Sequence, residues 1–434
     1  MPPVGENTSM TGTDRIAVVT QQYPPDKSGH ASRMNDVTRN LAEEGWAVEV
    51  LAPPPCFPHG EFDRDWYRTR RTSAGDVRVQ RLWAWQPTVA DPGTLSRIAY
   101  YVTFALHAAL WLTIRTRRYD AVLTTTPPIS TGLAGLVTAV SGLPWVVDVR
   151  DLWIDASVSL GFISEGGVLE RASRRFQRTV LHAADAIAVT TETLGEHLCT
   201  QYGEALSPKV FLLPNGVDVD RFESADAPDA ADRPDEPLIV YVGNIGHAQN
   251  LDACIRAMGE LEGDAELRLV GGGDTVPDLR ETAESSDVSD AVTFAGPMPH
   301  EEIPSLLASA DVGIAPLVDD DELAYAMPTK VYEYMGAGLP VVTTGRGEVE
   351  RFIDSSNGGI HAESDVESIA SAFDTLLADE SYRERLGENG QAYVRSRYDR
   401  SAITETLHER LRQLADGGVT TAGDATDSAV AGNE

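Results

Sequence analysis

Lysine is almost absent from this chain: of 35 basic residues only Lys27, Lys209 and Lys330 are lysines, and arginine supplies the rest. Against them stand 67 acidic residues, for a formal net charge of −32. So acidic a chain lacks the basic surface that neutralises a phosphate backbone, which excludes nucleic acid as an expected partner. Its self-repulsion is tolerable where salt screens charges within about 3 Å, as near 1 M, so a halophilic, salt-rich cytoplasm is the expected setting. Cysteine is scarce too. Cys56, Cys199 and Cys254 are widely spaced, odd in number and without metal-ligand spacing, so no disulfide framework is expected and each reads as a small buried apolar residue in a reducing compartment. The N-terminus has no charged stretch followed by an apolar region, and no secretory signal is expected there.

What is present is enough apolar residue to bury a full core. With 434 residues and 42% hydrophobic content the length favours two domains. Residues 15–20 (RIAVVT) form a β-rich run, and Pro24, Pro25 and Gly29 break the chain before a helical stretch from about Ser32 to Glu44, with Gly45 at the expected C-cap. Further buried strands are expected at Val48–Leu51, Ala121–Thr125, Trp145–Val149, Ala186–Thr190 and Val210–Leu213. Residues 224–237 (SADAPDAADRPDEP) have no apolar periodicity and read as a linker. A second series of strands follows at 238–242, 266–270, 291–295, 312–316 and 340–344, each ending in glycine, proline or a polar turn. Short apolar runs alternating with helices imply parallel sheets covered on both faces, an α/β architecture of doubly wound domains. The expected organisation is an N-terminal domain at 14–223, a second domain at 238–399, a terminal helix at 400–416 returning to the first domain, and a disordered tail at 417–434.

One segment departs from the acidic background. Ile98 to Ile114 is seventeen residues without formal charge, preceded by Arg97 and followed by Arg115, Arg117 and Arg118. It is short for a membrane span. The window 61–118 carries ten arginines and five acids, an inversion of local charge that suits an anionic lipid surface or a lipid-linked acceptor at 95–118. A buried crossover helix with solvated arginines at its end fits the same residues.

The stretch Pro328 to Val342, PTKVYEYMGAGLPVV, carries the clearest chemistry. A helix beginning at Thr329 would leave backbone N–H groups pointing outward at its positive end, where phosphate binds, and Lys330 would add a point charge. Glu333 sits at capping-box spacing, or else accepts hydrogen bonds from ribose hydroxyls.

With these residues on the page the chain resembles family 4 of the retaining glycosyltransferases, of GT-B fold, in the branch of N-acetyl-fucosamine transferases of surface polysaccharide assembly. The matching pieces run in order: QQYPPDKSGHASR, EEGWAVEVLAPPPCFPHG, VVDVRDLW, LLPNGVDVDRF, YVGNIGHAQNLD, LRLVGGGD, VTFAGPMPHEEIPSLLASADVGIAPL and PTKVYEYMGAGLPVV. The resemblance implies two facing Rossmann-like domains with a C-terminal crossover helix. It implies a nucleotide-sugar whose diphosphate lies on Gly243, Asn244 and the loop to Gly246 and on Thr329 and Lys330, with the base near Gly296 and the ribose against Glu333. Gly29 would let the N-terminal loop approach the donor, or serve a tight turn. Arg150 and Asp151, at the carboxyl end of a buried strand, are the candidate catalytic pair, with a strand-end salt bridge as their structural alternative. The acceptor would be a glycan or a polyprenyl-linked sugar.

The chain departs from the wider family in three places. Tyr325 stands where the first glutamate of the usual pair belongs, Asn244 and Gln249 replace a basic pair, and Arg150 replaces a histidine. Retention in this family needs no protein nucleophile, since the leaving diphosphate can take the acceptor's proton. No strand-end aspartate pair suggests a metal, and no cofactor is expected; the acids at 319–322 (DDDE) read as a solvated loop. The alternatives are a nucleotide-sugar epimerase and a catalytically silent nucleotide-sugar binding protein.

Overall fold

The computed structural model describes residues 14–63, 71–74, 77–89, 92–159, 163–223 and 236–416. The expected tails before Asp14 and at 417–434, and most of the expected linker, 224–235, lie outside the described residues. The chain divides into two compact units, one comprising Met1–Thr190, Leu198–Leu213 and Thr404–Glu434, the other Thr191–His197 and Pro214–Ile403.

The first unit is built on eight strands: β1 (Arg15–Val19), β2 (Ala47–Ala52), β3 (Arg71–Ala74), β4 (Val77–Arg81), β5 (Ala121–Thr126), β6 (Trp145–Val149), β7 (Ala186–Val189) and β8 (Val210–Leu212). Their order is β3-β4-β2-β1-β5-β6-β7-β8, with every pairing parallel except that of β3 with β4. Strands β5, β6 and β7 are buried along their whole length, which is why their sequences read as apolar or threonine runs rather than alternating ones, with Asp148 of β6 as the exception. The expected interruption before the first helix ends sooner than Ser32. The helix spans Gly29–Glu43, because the Ser28 hydroxyl accepts from the Ala31 N–H and caps it. Gly45 follows with φ +91°, a left-handed conformation at which its N–H reaches Ala42 O.

The second unit contributes β9 (Leu238–Val242), β10 (Glu266–Val270), β11 (Val292–Gly296), β12 (Val312–Ala315), β13 (Val341–Thr343) and β14 (Gly359–His361), all parallel, in the order β11-β10-β9-β12-β13-β14. The order reverses between β9 and β12, and ligands of open α/β sheets bind beyond the carboxyl ends of the strands at such a switch point. Gly243 is the first residue after β9. One face of the sheet is covered by a core that includes Leu251, Ile255, Ile369 and Phe373, the other by one that includes Ile303, Val331, Tyr334 and Met335.

The terminal helix spans Arg400–Ala415, and from Thr404 onward it belongs to the first unit. There Asn40 donates to the Thr404 hydroxyl at 3.3 Å, the Trp46 indole donates to His408 Nδ1 at 3.1 Å, and Arg412 pairs with Asp14. All three cysteines are free and buried.

Close packing of the first unit is sharpest at Gly135, in the helix Gly132–Ala139, where a β-carbon would lie 1.8 Å from Trp145 Cε2. Trp145 is itself wholly buried and pinned by an indole bond to the Thr124 hydroxyl at 2.9 Å. Gly135→Ala would gain about 1 kcal/mol of helix propensity and lose about 1–3 kcal/mol to overpacking. The clash outweighs the gain because the nearest atoms belong to a rigid ring. The expected outcome is net destabilisation, read as a lower midpoint in chemical denaturation followed by tryptophan fluorescence.

Candidate functional site

The helix Thr329–Gly336 begins after Pro328, whose fixed φ of −61° suits the entry and which supplies no side-chain cap. The Val331 N–H turns back to Pro328 O at 3.1 Å, which leaves those of Thr329 and Lys330 to whatever lies in front of them. Glu333 does not act as a capping-box residue, because no side-chain capping bond forms at this helix start. Its side chain instead lines a cavity of about 360 Å³ together with Gly243, Asn244, Gly271, Met298 and His300.

Lys330 turns toward the end of β9. Its ammonium donates to the Tyr241 hydroxyl at 3.0 Å and lies 4.3 Å from the centre of that ring, while the same hydroxyl donates to the carbonyl of Asn244. Burial pushes the Lys330 pKa down to about 8, with the nearby Glu333 opposing the shift. The Glu333 carboxyl is pushed up by burial, against the pull of His300, Arg400, Arg221 and Lys330. A half-buried ammonium resting on a neutral tyrosine is a cation in want of an anion.

Glycine is required where backbones meet here. At Gly243, φ is +139°, and a β-carbon would come within 3.2 Å of Lys330 Cε; at Gly271 one would lie 1.8 Å from the Gly243 carbonyl oxygen. Three of the four N–H groups in the loop 243–246 are already used: Gly243 donates to Val270 O, Ile245 to Gly272 O, and Gly246 to the Gln249 side chain. Gln249 thus closes the loop. The structure brings Gly243, Asn244, Lys330 and Glu333 together. Gly296, at φ +75°, ends β11 and leads into Pro297 of the cavity wall, and Thr329 is exposed at the helix start. The acids at 319–322 are all exposed, as a solvated loop would be, and Arg346 pairs there with Asp319, at 2.7 Å through Nη2, and with Asp321.

In the first unit, Gly29 has a helical φ and open space where a β-carbon would point, so no tight turn demands glycine there. Arg150 follows β6 beside residues that sequence reasoning missed: His30, Arg33 and Asp148. Asp148 is 1% exposed in mid-strand and pairs with Arg33 at 3.3 Å, and Arg33 also donates to Leu213 O at 2.7 Å. Burial lowers the Arg150 pKa to about 10, with Arg33 adding repulsion and Asp148 and Asp151 opposing. Its buried Nε has no hydrogen-bond partner. His30 receives or gives bonds at Nε2 to the hydroxyls of Thr20, at 2.8 Å, and Thr125, at 3.3 Å. Its pKa is held well below the usual imidazole value by burial and then by Arg150 and Arg33, so it is neutral at pH 7. A charged residue inside the apolar strand WVVDV was the available signal for this cluster.

Known families give this arrangement a class. The model of the glycosyl transferases group 1 matches residues 224–393, and that of the glycosyl transferase 4-like domain matches residues 28–216. The two stretches take in most of the chain, which belongs to the group 1 glycosyltransferases and has the GT-B fold. A colanic acid biosynthesis glycosyl transferase of Escherichia coli, WcaI, is 25% identical over 77% of this chain and 84% of its own length. A GDP-mannose-dependent phosphatidylinositol monomannoside mannosyltransferase of Mycolicibacterium smegmatis is 28% identical over 62% of this chain and 77% of its own length. Among solved structures, sucrose-phosphate synthase of Thermosynechococcus elongatus superposes with a TM-score of 0.73 at 20% identity, over 93% of this chain and 100% of the other.

Asp148→Ala would leave Arg33 buried without its carboxylate. The expected cost is about 3–5 kcal/mol, the usual penalty for breaking a buried pair, measured by chemical denaturation; a loss under about 1 kcal/mol would show that Arg33 is satisfied without the Asp148 carboxylate.

Proposed function

We propose that the chain is a cytoplasmic, retaining glycosyltransferase that moves a hexosyl group from a nucleotide-diphosphate sugar to a glycan or polyprenyl-linked acceptor in surface polysaccharide or glycoprotein glycan assembly. The observation that carries this reading is Lys330, half-buried on Tyr241 against Gly243 at the switch point of the second sheet. Its charge and the open start of its helix suit a diphosphate. Asn244 and Gly243 would flank that group, Thr329 would offer its N–H and hydroxyl, Glu333 would accept from the ribose, and the base would lie toward Gly296 and Pro297. The dependence of the M. smegmatis relative on GDP-mannose, and the colanic acid pathway of the E. coli one, support the donor class and the setting.

In transfer, the bond between the anomeric carbon and the diphosphate oxygen breaks while the acceptor oxygen approaches the same face, and the diphosphate takes the acceptor's proton. The protein's work is then to position the reactants and stabilise the departing charge, for which Lys330 is placed. In the first unit, Arg150 and Asp151 are the catalytic pair that the family resemblance implies. Retention is checked by the anomeric configuration of the product in proton NMR.

A panel of nucleotide-sugars in molar potassium chloride tests the donor site through thermal stability. A ligand at 100 times its Kd stabilises by about 2.7 kcal/mol. One donor class is expected to shift the native protein, and Lys330→Ala to lose that shift. The diphosphate prefers the protonated lysine, so binding takes up a proton near pH 8 and affinity should fall as pH rises through that value. Lys330→Arg, which stays charged, should flatten the profile between pH 7 and about 9. A profile unchanged by that substitution would remove Lys330 from the site.

A further inference from the structure

We propose that one face of the first unit, formed by the helices Thr94–Arg115 and Val168–Ala183, is a docking surface for an anionic lipid bilayer, with the first helix lying flat in the interface rather than crossing it. This goes beyond the glycosyl-transfer reading and does not depend on it.

The helix Thr94–Arg115 is apolar on both sides, which is unusual for a helix at a protein surface. One side carries Tyr100, Phe104, Ala108 and Leu112, all buried in the unit's core. The other carries Leu95, Ile98, Val102, Leu106, Leu110 and Ile114, spaced three or four residues apart, with Leu110 58% and Ile114 68% exposed. By length and composition the segment Thr94–Arg118 could cross a membrane, yet one third of its most apolar window is buried in the unit. The buried side is part of the fold, so crossing would require pulling the core apart. Lying flat requires nothing to move.

The stripe does not end at that helix. Val102 and Leu106 share an apolar groove of about 340 Å³ with Leu133 and with Ala172 and Phe176 of the helix Val168–Ala183. One turn before Ala172, Val168 and Leu169 are exposed at 76% and 54%. The two apolar rows therefore form one continuous surface.

Charge selects the occupant. Residues 94–118 and 168–183 hold eight arginines and one glutamate, in a chain whose net charge is −32. Arg174 is already engaged by Glu170 at 2.6 Å and Asp155 at 2.9 Å. Arg117 and Arg118, at the end of the first helix, and Arg175 and Arg178, on the second, are exposed. A second copy of this chain docking through the same face would set like charges against one another. An anionic bilayer offers both an apolar interior and phosphate headgroups to arginine. At molar salt the electrostatic attraction is confined to about 3 Å, so there the apolar stripe must hold the protein.

Vesicle flotation of the full chain tests this, using phosphatidylcholine vesicles with and without phosphatidylglycerol, at about 0.15 M and about 1 M KCl. The native protein is expected to float with the phosphatidylglycerol vesicles at both salts. Leu110→Ser with Ile114→Ser should weaken partitioning at least about tenfold at either salt, since losing even one buried leucine-sized contact is worth that much. Arg117→Gln, Arg118→Gln, Arg175→Gln and Arg178→Gln together should weaken it at low salt only. All these positions are exposed, and an unchanged circular dichroism melt verifies folding. The proposal fails if the folded native protein floats with neither vesicle, or if the serine variant floats as the native does. It fails too if light scattering without lipid shows a dimer that the serine substitutions abolish, which would make the face a self-interface.

Discussion

A lysine ammonium held half-buried at the carboxyl end of a parallel sheet, with a tyrosine rather than a carboxylate as its hydrogen-bond partner, is the constraint on which the second unit is organised. Desolvating a cation is costly, and the fold meets part of that cost with the Tyr241 hydroxyl and ring, and with the field of Glu333. Tyr241 in turn holds the Asn244 carbonyl, which fixes the loop whose glycines leave room for the lysine stem. None of these groups can change alone: a side chain at Gly243 meets Lys330, and one at Gly271 meets Gly243. In an acidic chain nearly devoid of lysine, one placed where it is not neutralised is a preorganised site for an anion.

The first unit solves a comparable problem with different chemistry. Asp148 sits fully buried in the middle of β6, a position that would be strongly destabilising without Arg33 beside it. Burial raises the carboxyl pKa, and Arg33 and Arg150 pull it back. Toward the strand's end two buried polar atoms have no hydrogen-bond partner, Asp148 Oδ2 and the Nε of Arg150. Both units thus hold incompletely satisfied cationic donors near the carboxyl ends of their strands, where this class of sheet binds ligands.

The sequence made much of this legible, for identifiable reasons. Strands β1, β5, β6, β9 and β10 are mainly apolar or threonine runs bounded by turn residues, broken by one charge in β1 and β6 and two in β10, and their positions could be read within a residue or two. Strands β3, β4 and β14 could not. VRVQR in β4 alternates charged and apolar residues at the sheet margin, and GIH in β14 is three residues long, too short to show a period. At the site, Lys330, Gly243 and Glu333 were legible because rarity, a strand-ending glycine and a helix start mark them. Tyr241 was not, since inside LIVYV it reads as one more core residue until its hydroxyl is seen to meet Lys330. His30 and Arg33 were hidden in an ordinary amphipathic helix, and the capping role open to Glu333 failed because the chain offers Pro328 at the cap.

The measurement that bears most directly on the central claim is an experimental structure of the chain with a nucleoside diphosphate bound. The diphosphate is expected to lie against Asn244 and the start of the helix Thr329–Gly336, with the Lys330 ammonium drawn from the Tyr241 hydroxyl onto a phosphate oxygen. A diphosphate bound elsewhere, or one bound while Lys330 remains on Tyr241, would contradict it.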